Sequence, residues 1–293
     1  MVINASDFVH GATNKVSFVE EEAGGKAINV ALQLKNLGHD PKCLGFNFST
    51  GGEKLDNKLS DAEISHDFEY VPGRLRVNTK LYDTATKTMT ELNQLGDFVP
   101  AVYETGLRRR INRANFKGGL LVLSGSLPPG ISMDIYKNLA LGWDGPVMLD
   151  ATGEPLRAAI EGAGLYAIKP NVHELSETFN ANLSTPEDIA SFCRKKLNHI
   201  PLICVSMGDK GAVLVTKTAA YHAPARKVET KSLHGAGDAM LSGLIHGLIT
   251  DQPTPELLRY GAAAATARVQ TGKWSNLENF NLVLDKIPAP YII

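Results

Sequence analysis

Short apolar runs recur along the chain at "KCLGF" (42–46), "LLVLSG" (120–125), "PVMLD" (146–150), "LYAIKPN" (165–171), "LICVSMG" (202–208) and "AVLVT" (212–216). Between most of them lie stretches with helical spacing of apolar positions, over 26–37, 131–141, 186–198, 236–249 and 255–270. Runs of strand length alternating with runs of helix length predict βαβ units and a mainly parallel sheet. Several runs end in polar or glycine-rich tips: Ser124-Gly125-Ser126, Asp150, Lys169-Pro170-Asn171 and Ser206-Met207-Gly208. Ligands of open α/β sheets sit at the carboxyl ends of strands, so these tips are expected to line one crevice.

Two segments follow a different rule. Residues 11–22 and 66–91 alternate apolar and polar side chains and are rich in Val, Thr and Tyr, the pattern of half-exposed antiparallel strands. They predict a small sheet outside the core that covers the crevice as a lid.

Composition narrows the function classes. The 293 residues are 43% hydrophobic, and 30 basic residues balance 31 acidic ones, so there is no bulk charge to attract nucleic acid. Arg108, Arg109 and Arg110 read as the solvated face of a helix. No apolar run approaches the ~18 residues of a membrane span and no signal peptide is visible, so a cytoplasmic location without a membrane partner is expected. Cys43, Cys193 and Cys204 lack the spacing of a zinc site or disulfide framework.

The candidate chemistry begins at "HGAGDAMLSG" (234–243). A helix starting near Ala236 would offer unpaired N–H groups and the positive end of its dipole, and the flanking Gly235 and Gly237 would let an anion approach the backbone. Asp238 is then either a helix cap or a base that accepts a proton from a hydroxyl attacking phosphorus. "AGGKAINVALQLKNLG" (23–38) adds Gly24 and Gly25 ahead of Lys26 and Asn29, and "KPNVHE" (169–174) sets Asn171 and Glu174 three apart at a helix start. An amide and a carboxylate so placed suit a magnesium ion held through water beside nucleotide phosphates.

Together with "GRLRVNTK" (73–80), "SGSLPPG" (124–130) and "VSMGDKGA" (205–212), these motifs resemble, in order, those of the ribokinase or PfkB family of carbohydrate kinases, over about residues 10–272. "GRLRVNTK" and "SGSLPPG" look most like the 1-phosphofructokinase and tagatose-6-phosphate kinase branch. The resemblance implies a single ribokinase-like α/β domain spanning 1–293, with a three-layer α/β/α core (about 24–65 and 93–293) and an antiparallel β lid (about 9–23 and 66–92). It further implies ATP and Mg²⁺, a ketohexose phosphate as acceptor, and a homodimer formed through the lids. Carried over by position, Asp238 is the catalytic base and Gly235, Ala236 and Gly237 form the anion hole. Asn171 and Glu174 serve the magnesium and phosphates, with Lys169 near the phosphates and Ser206, Gly208 and Gly211 along the nucleotide. Gly24, Gly25 and Asn29 hold sugar hydroxyls. For the phosphate already on the sugar, Arg76 and Lys26 lead, with Asn78, Lys80, Ser124 and Lys15 behind them.

The sequence departs from the family pattern in three places. The family's opening strand, of the type "LNPALD", has no counterpart ahead of the lid, which points to a start placed too late or to altered substrate binding. Ala27 replaces the usual third glycine of "GGKG". Ser232, Leu233 and His234 stand where the family commonly has an Asp-Thr pair that helps hold a monovalent cation, so potassium activation is not expected, and His234 is expected to be structural. His173 is expected to face solvent. A kinase of neutral sugars or nucleosides and a non-catalytic binder are the alternative readings.

Overall fold

The computed structural model describes the backbone of residues 1–293 and every side chain except that of Phe18. The chain opens with β1 (Val2–Ala5) and β2 (Val16–Glu20), followed by α1 (Lys26–Asn36), β3 (Lys42–Thr50), α2 (Glu53–Asp61) and β4 (Ser65–Arg74). Next come β5 (Thr79–Asp83), β6 (Thr88–Leu92) and α3 (Ala101–Ala114). A run of βα units continues with β7 (Leu121–Ser124), α4 (Ile135–Leu141), β8 (Val147–Asp150), α5 (Gly153–Gly162), β9 (Ala167–Ile168), α6 (Val172–Phe179) and α7 (Pro186–Lys196). The chain closes with β10 (Leu202–Ser206), β11 (Ala212–Val215), β12 (Ala220–Ala223), α8 (Ala236–Ile249), α9 (Thr254–Thr271), α10 (Leu277–Leu284) and β13 (Tyr291–Ile292).

Seven strands form the main sheet in the order β13-β12-β11-β10-β9-β8-β7. Pairing is parallel from β7 through β10 and antiparallel from β10 outward to β13. The apolar runs are continuous because both sheet faces are covered. In β8, Val147 and Leu149 join a core with α3 to α7, while Met148 joins a second core with α1, α8 and α9. This is the expected three-layer arrangement, and it aligns the carboxyl ends of β7 to β10 toward one side.

The small sheet differs in outline from the lid that was expected. Its order is β2-β1-β5-β6, with β1 antiparallel to β2 but parallel to β5. Residues 66–74, placed in the lid by their alternation, pair instead in parallel with β3 as part of β4 and bury Phe68 and Val71. Alternation reports one buried face and one exposed face, not which sheet supplies the buried one. The core sheet is interrupted: β3 and β4 form a separate two-stranded sheet, unpaired with β7.

Candidate active site

Helix α8 is hydrophobic enough to be buried almost throughout, and it starts where the glycine turn forces it to start. Gly235 is its N-cap in the left-handed conformation, φ 77°. A Cβ there would also press on the Trp274 ring at 2.7 Å. The first amides of α8 have no acceptor one turn back, and Ala236 N reaches Leu233 O only at 3.4 Å.

Arg268 on α9 fixes this turn from behind. Its Nε donates to His234 O at 2.9 Å and its Nη1 to Gly272 O at 2.6 Å, and its guanidinium lies 4.0 Å over the Trp274 ring. Burial lowers its pKa. On the lid side, Lys80 Nζ lies 2.6 Å from His234 Nδ1 and 3.0 Å from Glu91 Oε1. Burial, then the charges of Lys80 and Arg268, lower the His234 pKa, which suits Nδ1 as the acceptor from Lys80. The histidine thus ties the small sheet to the turn.

Asp238 is only 6% exposed, and its Oδ2 accepts a hydrogen bond from Asn29 Nδ2 at 2.7 Å. Burial raises the Asp238 pKa, opposed by the Asn29 hydrogen bond and assisted by the negative charge of Asp150. The carboxylate does not cap the helix, because the cap is Gly235 and makes no side-chain bond. Asn29 sits one turn into α1, whose N-cap Gly25 accepts from Asn29 N at 2.8 Å. Gly24 lies against Asn29, where an added Cβ would stand 3.4 Å from Oδ1.

Asp150, at the tip of β8 and 1% exposed, forms the hub of the charged cluster. Lys26 Nζ lies 3.2 Å from its Oδ1 and 3.7 Å from Glu174 Oε1, while Lys169 Nζ lies 3.5 Å from its Oδ2. Burial opposes the charge of Lys26, but Asp150 and Glu174 outweigh it and raise the pKa. The Lys169 ammonium also stands 3.6 Å from the point where a Cβ on Gly237 would lie, so this cation faces the anion turn. Asn171 and Glu174 form a reciprocal capping box on α6, each side chain accepting the other's backbone N–H at 2.8 Å. Ser206 bridges Asn171 at the end of β10. The turn from Gly208 closes with Met207 N donating to Gly211 O at 2.8 Å, and Gly211, φ 95°, lies so close to the Ala223 carbonyl that no side chain fits.

The donors fit a magnesium ion held through water rather than gripped directly. The capping box occupies Asn171 Oδ1 and Glu174 Oε2, leaving Glu174 Oε1, while buried Asp150 Oδ2 accepts no hydrogen bond. Among the described residues no group of three acids, histidines or cysteines is built to ligate a metal.

Beyond the carboxyl end of β7, Arg76 Nη2 donates to Ser126 Oγ at 2.7 Å, and among the described residues no carboxylate pairs with it. Lys26 and Lys80, the other cations considered for the sugar's phosphate, are committed to carboxylates, and Lys15 is exposed ahead of β2. Asn78 Oδ1 and Ser124 Oγ are buried without partners. His173 is exposed, as expected, and Arg110 pairs with Asp67 and Glu69 on the α3 face.

Two residues of this cluster were not among the candidates. Asp150 was visible only as a strand tip. Arg268 sits in the alanine-rich run "YGAAAATARVQT", and its one local signal is a lone arginine near the end of an otherwise buried helix.

The profile of pfkB family carbohydrate kinases matches residues 1–278. The chain belongs to this family. It is 30% identical over 272 residues to the 1-phosphofructokinase of Bacillus subtilis strain 168, covering 91% of this chain and 88% of that protein. It is 27% identical over 282 residues to the D-tagatose-1-phosphate kinase of Bacillus licheniformis, covering 91% and 88%. Phosphofructokinase-2 from Escherichia coli, in complex with substrates and products, superposes with a TM-score of 0.89 at 23% identity over 98% of this chain and 95% of that one. Family membership makes the protein a kinase with an alcohol acceptor, and the shared fold is that of the ribokinase-like enzymes.

Proposed function

We propose that this kinase transfers the γ-phosphoryl group of ATP to a hydroxyl of a ketohexose phosphate of the fructose 1-phosphate or tagatose 6-phosphate type. The observation that carries the reading is the buried Asp238 carboxylate at the first turn of α8, held by Asn29 through Oδ2 alone. Oδ1 is left for the acceptor hydroxyl. As that oxygen attacks phosphorus, its proton passes to Asp238, the bond from phosphorus to the bridging oxygen breaks, and ADP leaves. The amides of Ala236 and Gly237, with Lys169 beside them, offset the charge on the transferring group. Asn171, Glu174, Ser206, Gly208 and Gly211 line the nucleotide side. Glu174 Oε1, the oxygen that its capping box with Asn171 leaves over, would hold a magnesium ion through water, and that ion would neutralise phosphate charge.

Arg76 is assigned to the phosphate that the sugar already carries, since its planar fork is uncommitted and binds phosphate oxygens in pairs. Asn78 and Ser124 bring buried oxygens without partners to the same side. Gly24 and Gly25 admit sugar hydroxyls close to the backbone. The relatives' names support a phosphorylated ketohexose as acceptor. Association through the lids is supported by exposed Val16, Val19, Met89 and Leu92 on the small sheet. A charge at Val19→Lys is expected to shift the protein toward monomer in analytical ultracentrifugation. No helix is long and apolar enough to cross a membrane. The test of the acceptor is a coupled assay of ADP release with fructose 1-phosphate, tagatose 6-phosphate, fructose 6-phosphate and free sugars. Turnover confined to unphosphorylated sugars, unchanged in Arg76→Ala, refutes it.

A further inference from the structure

The turn between β10 and β11 is held from the far edge of the sheet. Residues Gly208–Lys210 form a single 3₁₀ turn, closed by Lys210 N donating to Met207 O and Gly211 N donating to Gly208 O, both at 3.2 Å. Hydrogen bonds of this type are poorly aligned, and so short a turn has little stability of its own. Antiparallel pairing of β11 with β12 begins at Ala212 opposite Ala223, so the Lys210 carbonyl lies outside the ladder. Its hydrogen bond comes from a side chain.

His222 on β12 is 7% exposed, with Nε2 2.9 Å from Lys210 O and Nδ1 2.8 Å from the Tyr291 hydroxyl on β13. A carbonyl only accepts, so Nε2 carries the ring proton; in the neutral ring Nδ1 is then the acceptor and the Tyr291 hydroxyl the donor. The chain runs one way, from Tyr291 through His222 to the turn. Tyr291 stands directly across the strand pair from His222, its ring edge-on to the imidazole with centroids 5.3 Å apart and planes at 83°.

An apolar side chain would fill the same slot without taking two ring nitrogens out of water. The histidine offsets that cost by bonding on both sides, and one of its partners belongs to the turn rather than to any strand. The neighbouring Ala223 meets the turn as well, since its carbonyl lies so close to Gly211, φ 95°, that no Cβ fits there. Strand β12 thus touches two successive residues, Lys210 through an imidazole and Gly211 through a carbonyl. Lys210 is tied at its other end too, Nζ donating to Ser184 O at 3.4 Å.

We propose, on the reading of this turn as the nucleotide's, that His222 and Tyr291 are positioning residues for ATP. Their hydrogen-bond chain fixes the Lys210 carbonyl and with it the Gly208–Gly211 backbone in the conformation that meets the nucleotide. Neither side chain belongs to the anion turn or to the cluster around Asp150. The chain therefore sets the affinity for ATP and leaves the chemical step to Asp238.

The test compares the full chain with His222→Leu, His222→Gln and Tyr291→Phe. Amide hydrogen exchange over 207–212 without ligand reads the turn itself and needs no turnover, while KM for ATP, KM for fructose 1-phosphate and kcat read its use. His222→Leu is expected to speed exchange about tenfold and to raise KM for ATP about three- to tenfold, with kcat and the sugar-phosphate KM held within about twofold. His222→Gln, whose amide N–H can reach the same carbonyl, should recover most of the ATP affinity. Tyr291→Phe keeps the ring packing and should show the same split at about twofold, which keeps the test open should His222→Leu fail to fold. Unchanged exchange in both His222→Leu and Tyr291→Phe, or equal rises in the two KM values, overturns the proposal. Faster exchange with an unchanged KM for ATP overturns it through the assignment of the turn instead.

Discussion

The two halves of the proposed active site are finished to different degrees. Around the anion turn almost every charged or polar group is already held: Asp238 by Asn29, the turn by Arg268, Lys169 and Lys26 by Asp150, and Asn171 and Glu174 by each other. On the acceptor side, Arg76 has one hydroxyl contact, Asn78 Oδ1 and Ser124 Oγ have none, and the sheet behind them is open. On the proposed function, the phosphoryl-transfer half is preorganised, whereas the acceptor half is left to be completed by what it binds. Preorganised dipoles lower a barrier without reorganising at the moment of reaction, while unpaired polar groups discriminate ligands that satisfy them from those that do not.

The largest expected effect falls on the finished half. Asp238→Asn keeps an oxygen for Asn29 but removes the base, and should lower kcat by about 10²- to 10⁴-fold with little change in melting temperature. Because burial raises the Asp238 pKa, the ionised base is lost from the acid side at a higher pH than for an ordinary carboxylate. The kcat profile should therefore fall as pH drops through that raised value, and an acid limb where an ordinary aspartate titrates, or lower, would contradict the assignment.

The open half should respond in KM instead. Arg76→Ala is expected to raise KM for a ketohexose phosphate by roughly 10- to 100-fold, the worth of a charge-assisted contact of about 1.5–3 kcal/mol, while KM for ATP holds. A change confined to kcat would place Arg76 in the transfer half and break the comparison.

Arg268→Gln tests whether the turn is held from behind. Losing charged donors to the His234 and Gly272 carbonyls should cost about 3 kcal/mol and lower kcat more than either KM, with thermal denaturation and steady-state kinetics as the checks. A variant with unchanged kcat and reduced stability alone would make Arg268 merely structural.

The smallest effect lies away from the site, in the imidazole pair on α1's exit and α8. His39 Nε2 and His246 Nδ1 are 2.7 Å apart, and burial lowers both pKa values, that of His246 to about 4. The folded state thus binds the proton more weakly than the unfolded one. This stability is fully present above pH ~6.5 and is lost as pH falls toward about 4, by at most on the order of 3 kcal/mol. Urea denaturation of His246→Gln should show a shallower dependence across that window than the parent.

Legibility followed how local the cause was. The helix over 236–249 was readable to the residue, because a left-handed glycine cap and an all-round apolar run both act within its own segment. The capping box at Asn171 and Glu174 is equally local. The alternation over 66–74 points to the lid because it looks the same in either sheet. Val2–Ala5, at four residues, is too short for a periodic signal and becomes a strand only between β2 and β5. Asp150 and Arg268 act on segments far along the chain, 26 and 169 for one, 234 for the other, so no spacing announces them. The open sheet edge is a product of topology alone.

One assay bears most directly on the account: ADP release with fructose 1-phosphate by the parent protein, Asp238→Asn and Arg76→Ala side by side. Turnover is expected in the parent, a kcat loss of about 10²-fold or more without a KM change in Asp238→Asn, and a KM rise for the sugar phosphate alone in Arg76→Ala. Near-parental kcat in Asp238→Asn would contradict it.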